Sequence, residues 1–332
     1  MWRVWQHSRA GFNLQPRAKR QTAVTTLQAA GALAGRTCII VNPNAGQEET
    51  ARLLRKLGGA FAARGAAFDL ITTEFPGHAI EIAREATQLG YRAVCIVGGD
   101  GTLAEAATGV AGTEVPIAII PRGTANQVAR NLNIPVAFEA AVDVAVFGKP
   151  VAIDMGRING RSFALVAGAG FDAAIMTAAT RELKERWGFA AYIYAAVKEA
   201  LAVAPARFHI TADGREFDVS AVTVMIANVG ELFTRYLPLR LPLTPKPLSS
   251  WHDGFFDVVI IAPRNLPEWA AVLWNATAHR FGGNDQLIHL QAREVTIDAD
   301  PPVPVQIDGD PAGTTPMTAI AVEKAARILL PN

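Results

Sequence analysis

The 332-residue chain is poor in cysteine, carries no large excess of either charge and has no long apolar run. Cys38 and Cys95 are its only cysteines, and each lies in an apolar stretch that reads as a buried strand. That argues against a disulfide framework or a cysteine zinc site and fits a reducing compartment. The formal net charge of +1 argues against a nucleic-acid coat and against a strongly polybasic membrane binder. The longest charge-free stretch, Gln21 to Gly35, is short of the ~20 apolar residues that a spanning helix needs. A Walker-type Gly-Lys-Thr is missing, and there is no internal repeat or low-complexity block.

What is present is a globular composition, half hydrophobic and 18% charged, with two domains as the default for this length. The near-zero charge conceals an asymmetry. Residues 1–36 contain Arg3, Arg9, Arg17, Lys19, Arg20 and Arg36 and no acid, so the other 25 basic residues face 30 acids and leave −5 for the body. This basic leader lacks the apolar core of a secretory signal and is expected to be a disordered tail.

From Thr37 onward, short apolar runs alternate with helical patterns, the mark of βαβ units on a parallel sheet. Strands are expected at 37–41, 68–72, 93–97 and 117–120, and helices at 48–64, 79–89, 103–110 and 125–132. After about residue 148 the text becomes strand-rich, with helical patterns only at 190–203 and 266–279. The fold class is therefore α/β plus β: a Rossmann-like nucleotide domain over 37–148 and a β-sandwich domain over 149–313, with 314–332 returning to the first.

The strongest feature is Gly98-Gly99-Asp100-Gly101-Thr102, a strand that runs into a glycine turn and a helix start. Glycines let backbone N–H groups approach phosphate oxygens, and a helix N-terminus adds positive potential. Asp100 beside phosphates implies a divalent cation, since no P-loop lysine supplies the charge. Gly99, Gly101 and Ala104 also match a weak dinucleotide fingerprint, but the unit is the third strand and the next strand ends without an acid for a ribose. The loops Asn42 to Gly46 and Pro121 to Asn126 reach the same sheet edge, and Thr73 and His78 stand at the end of the remaining strand, where capping explains His78 equally well. Asp308 and Asp310 sit two residues apart at a strand exit, where a carboxylate can deprotonate a hydroxyl, although Asp-Gly-Asp is more commonly a hairpin turn. His252-Asp253-Gly254 is a similar turn, structural by its spacing alone.

In order and spacing, NPNAG (42–46), TTEFPGHA (72–79), GGDGTLAEAATG (98–109), PRGTANQVARNLNIP (121–135), DMGRINGRSFALVAGAGFDA (154–173), HDGFFDVVI (252–260) and DGD (308–310) resemble the diacylglycerol kinase catalytic-domain family, which includes bacterial lipid kinases and sphingosine kinases. The resemblance implies an ATP site made by Asn42, Pro43, Asn44, Ala45, Gly46, Thr73, Gly98 to Thr102, Glu105, Thr124 and Asn126, with Asp100 in a catalytic magnesium network. It also implies a lipid site in the second domain, a structural Mg2+ held by Asp253 with backbone oxygens, and a general base at Asp310 with Asp308 beside it.

The expected function is transfer of the γ-phosphoryl of ATP to a hydroxyl of a diacylglycerol-like lipid, by a cytoplasmic protein that touches the membrane transiently and binds no nucleic acid. A homodimer is compatible with the sequence. A membrane-facing helix at 190–203 competes with a core helix there. Four departures stand out: Gln127 where the family carries Asp, Asp310 for its Glu, Ala106 and Thr108 in the helix after the phosphate loop, and Gly230 to Pro238 for a glycine-rich segment. They keep open a non-catalytic lipid- or nucleotide-binding regulator, while an NAD kinase-like enzyme lacks its downstream motifs.

Overall fold

The computed structural model describes residues 4–7, 12–13, 33, 35–46, 48–123, 126–170, 205–228, 231–233, 240–242, 250–277 and 285–332. Thr124, the 190–203 helix and most of the Gly230 to Pro238 segment lie outside them. The chain divides into two units, Met1–Ile153 with Lys324–Asn332, and Asp154–Glu323. The division falls slightly beyond the expected residue 148, and the return to the first unit begins at Lys324 rather than 314.

In the first unit the strands Thr37–Val41, Phe68–Thr72, Ala93–Gly98 and Ile117–Pro121 form a parallel sheet. Strands 37–41 and 93–98 are buried throughout, as a sheet covered on both faces requires. The helix Thr50–Ala63 buries Leu53, Leu54, Leu57 and Phe61 at i, i+1, i+4 and i+8, a stripe that faces the sheet. Each such side chain contributes roughly 1.5–3 kcal/mol of burial. Helix Phe138–Phe147 packs into the same core through Ala141, Val142 and Ala145. Burial pushes the Cys38 and Cys95 thiols above their ordinary range, so both are inert core residues.

The leader does not behave wholly as a disordered tail. Val4–His7 pairs antiparallel with the edge strand Phe68–Thr72 and with Phe12–Asn13, because an open edge offers unpaired N–H and C=O groups that a neighbouring segment can satisfy. Arg36, at its end, grips Asp69 through Nε and Nη2, each at 2.8 Å, and Tyr91 donates to the same carboxylate at 2.8 Å.

The second unit is a β-sandwich. One antiparallel sheet runs Leu287–Ala292, Phe256–Ile261, Thr223–Ala227, Val166–Gly170, Pro304–Ile307, Asp310–Thr314. The other joins Arg215–Ala221, Ala206–Ala212, Glu294–Asp300 and the start of Met317–Leu330. Phe163, Phe208, Phe256, Ile226 and Ile297 fill the space between them, with Phe163 stacked on Phe256 at 5.5 Å. Met317–Leu330, where strand and helix signals mix, is one strand, and its Ile328 pairs with Ile117 in the first unit. Among the described residues no helix is long and apolar enough to cross a membrane.

Candidate functional site

In space the four parallel strands run 68–72, 37–41, 93–98, 117–121. The chain moves outward from the first strand to one side, then crosses to the other, so the order reverses between Thr37–Val41 and Ala93–Gly98. Open α/β sheets bind ligands at the carboxyl ends of strands at such a reversal. The loops at that point are Asn42 to Gly46 and Gly98 to Thr102. Asn42 joins them: its N–H donates to the Val97 carbonyl at 3.0 Å and its Nδ2 to the Thr102 hydroxyl at 3.1 Å. Its own Oδ1 accepts the Asn44 N–H at 2.9 Å, which folds the Pro43–Asn44 turn, and Ala45 N–H returns to the Asn42 carbonyl at 3.1 Å.

The third loop arrives from Pro121. Arg122 and Gly123 both donate their N–H to the Gly98 carbonyl, at 2.9 and 3.2 Å. A Cβ on Gly123 would lie 2.5 Å from the Gly99 Cα, and one on Gly99 would lie 3.1 Å from the Gly123 Cα. Only two glycines allow this approach, and together they leave a strip of backbone bare of side chains beside the N-terminus of helix Asp100–Val110. Two buried polar atoms of this loop, Arg122 Nε and Asn126 Oδ1, have no partner among the described residues. A bare backbone cradle, a helix N-terminus and the orphaned Arg122 Nε–H, which can only donate, suit an anionic ligand.

The acids here have a second job that their spacing does not reveal. Asp100 accepts the N–H groups of Gln127 at 2.9 Å and Val128 at 3.0 Å, capping from a distance the short helix Gln127–Asn131, which has no side-chain cap of its own. Burial raises the Asp100 pKa above the ordinary carboxylate range, and these two N–H groups oppose the shift. Glu105 likewise accepts from Gly77 at 2.8 Å and Ala79 at 3.2 Å, capping helix His78–Gln88. His78 is buried and accepts the Glu74 N–H at 3.0 Å, a cap inside its own turn, and Thr73 N–H binds the Val41 carbonyl at 2.9 Å. Gln127 brings an amide, not a carboxylate, to this loop. Among the described residues no three metal-ligating side chains gather, so a hard cation here fits Asp100 only with phosphates and water completing its shell.

In the second unit, Asp308 and Gly309 are the two central residues of a tight hairpin, with φ of 50° and 89°, and Ile307 pairs with Asp310 across it. Asp308 accepts three N–H groups, from Ala164, Leu165 and Val166, at 2.9, 2.9 and 3.0 Å. It holds the hairpin to the neighbouring strand. Asp310 faces solvent, its side chain 60% exposed, with Arg161 Nη2 at 3.1 Å from Oδ2. Asp253 Oδ1 accepts the Phe255 N–H at 3.1 Å, and Gly254 N–H donates to the buried Asp154 at 2.8 Å, so this turn too is tightly bonded.

A family model described as the diacylglycerol kinase catalytic domain matches residues 36–158, and one described as the YegS C-terminal NAD kinase beta sandwich-like domain matches 165–330. The chain belongs to the diacylglycerol kinase catalytic-domain family. Proteins named diacylglycerol kinase from Bacillus subtilis and Staphylococcus carnosus are 27% and 26% identical to this family member, over 90% of its length and 97% and 95% of theirs. An uncharacterised Synechocystis protein is 29% identical over 70% of this chain, which spans 54% of that protein. A solved structure titled as a diacylglycerol kinase from Bacillus anthracis shares the fold, with a TM-score of 0.72 at 23% identity over 90% of this chain and 97% of that one.

Proposed function

We propose that this family member is an ATP-dependent lipid kinase that phosphorylates a hydroxyl of a diacylglycerol-like lipid. The observation that carries the reading is the Gly99–Gly123 approach at the strand-order reversal, which leaves bare backbone where phosphates bind. The N–H groups at the start of helix Asp100–Val110 meet phosphate oxygens, and Asn42 to Gly46 and Thr73 border the nucleotide. A Mg2+ arriving with ATP would be held by Asp100 and would supply the positive charge that offsets the phosphates. Asp100, held by its two N–H donors, stands at the start of that helix. The acceptor oxygen bonds to the γ-phosphorus, the bond to the β-phosphate oxygen breaks, ADP leaves, and the hydroxyl proton passes to the Asp310 carboxylate. Asp308 fixes the hairpin on which Asp310 stands. A structural Mg2+ would be held by Asp253 with backbone oxygens. Membrane contact, transient and from the cytoplasm, follows from an insoluble acceptor.

A second reading, a nucleotide-binding regulator without catalysis, is favoured by the Asp310–Arg161 ion pair and by Gln127. Vesicles containing dioleoylglycerol, incubated with γ-labelled ATP and Mg2+, separate the two. Label on the lipid, falling at least about 100-fold in Asp100→Ala, supports the kinase. Nucleotide binding with no labelled lipid supports the regulator, and full activity in Asp100→Ala rules out the assigned site.

A further inference from the structure

We propose that Arg122 is a phosphate ligand of the nucleotide and that Glu48 is the anion it exchanges for that phosphate. The inference rests on the ATP reading above and adds the protein cation that the missing P-loop lysine leaves unaccounted for.

Across the strand-end segments 42–49, 73–77, 98–102 and 121–126, Arg122 is the only Lys or Arg. Its backbone is pinned beside the phosphate loop by the 2.9 Å bond from its N–H to the Gly98 carbonyl. From there its guanidinium reaches across the Asn42 to Gly46 loop, so close that a Cβ on Gly46 would lie 3.0 Å from Nη2. One residue, through its backbone and its side chain, thus touches all three loops. Its Nη1 donates to Glu48 Oε2 at 3.1 Å, and Glu48 Oε1 lies 3.5 Å from Arg52 Nε. Two guanidinium groups therefore share the Glu48 carboxylate. The Arg122 Nε is buried without a partner among the described residues, so Glu48 does not satisfy the whole fork.

A guanidinium binds phosphate as it binds carboxylate, through parallel N–H bonds, and a phosphate of higher charge competes well for it. Glu48 keeps Arg122 neutralised in the free protein. As the nucleotide enters, Arg122 passes to a phosphate and Glu48 retains Arg52, its i+4 neighbour on the adjoining helix. A pair that merely ties two loops together predicts something different: its loss weakens every ligand of the site alike.

Calorimetric titration of the full chain with ATP, ADP and adenosine decides between them. Arg122→Gln is expected to weaken ATP and ADP by roughly 10- to 100-fold, the loss of a charge-assisted contact, while adenosine changes by less than about twofold. Arg122→Lys recovers part of the loss. Glu48→Gln, which frees Arg122, tightens ATP by about threefold, and it decides the question even where Arg122→Gln fails to fold. Adenosine weakening in step with ATP, unchanged ATP affinity in Arg122→Gln, or ATP affinity in Glu48→Gln no tighter than wild type overturns the inference. Wild-type protein that binds none of the three overturns the ATP reading and the inference with it.

Discussion

Both units carry an aspartate between glycines or beside one, and the two put them to different uses. In the first unit Asp100 is turned inward, both oxygens bonded to the first N–H groups of a short helix. In the second, the turn divides the work: Asp308 takes the structural load through three N–H bonds, and Asp310 is left at 60% exposure with one arginine beside it. A carboxylate that must both organise backbone and face a ligand cannot be altered without cost to both. One relieved of the structural task can be altered with cost to chemistry alone.

That contrast is broken most directly at Asp310. Asp310→Asn is expected to lower kcat by about 100-fold, as loss of a general base does, while the chemical-denaturation midpoint stays put because the side chain is exposed. A matching loss of stability sinks the division of labour. Next in size is Asp308→Ala, which strands three N–H groups at Ala164, Leu165 and Val166 and should cost about 2–3 kcal/mol in urea unfolding. A midpoint unchanged from wild type would show the hairpin holds without it.

The smallest effect belongs to Asp218, an exposed carboxylate held below its usual pKa by Arg207 and then His209. A carboxylate whose folded pKa is depressed stabilises the protein above its unfolded pKa and loses that contribution as pH falls through the folded value. Asp218→Asn should therefore lower the melting temperature slightly at pH 7 and leave no difference from wild type at pH 2. A difference that persists at pH 2 would assign the effect to something other than ionisation.

Much of the first unit could be read directly. Strands 37–41 and 68–72 match to the residue, because continuous apolar runs ended by turn clusters have one reading in a parallel sheet. Helix Phe138–Phe147 escaped, since its Val-rich text carries as much strand preference as helix, and packing on the sheet decides it. In the second unit the strand-like text from 217 to 228 is shared by two strands: Arg215–Ala221 pairs with Ala206–Ala212, then Thr223–Ala227 pairs in the other sheet. The apolar text runs on through Val222, so nothing local marks the change of partner. Of the site, the three glycine-bearing loops were legible. The remote caps made by Asp100 and Glu105 were not, because a cap is normally sought at its own helix and these come from 27 and 26 residues away.

The sequence by itself determined the alternation of strands and helices, the glycines that leave backbone open to phosphate and the lack of any P-loop lysine, because these depend on residue type and local spacing. Only the tertiary structure decided where the strand order reverses, which carboxylates cap helices and which one is left exposed beside an arginine, and that Arg122 lies over Gly46 with Glu48 against it. Those outcomes depend on which distant segments are brought within hydrogen-bonding reach, and pairing across 27 or 74 residues leaves no local trace.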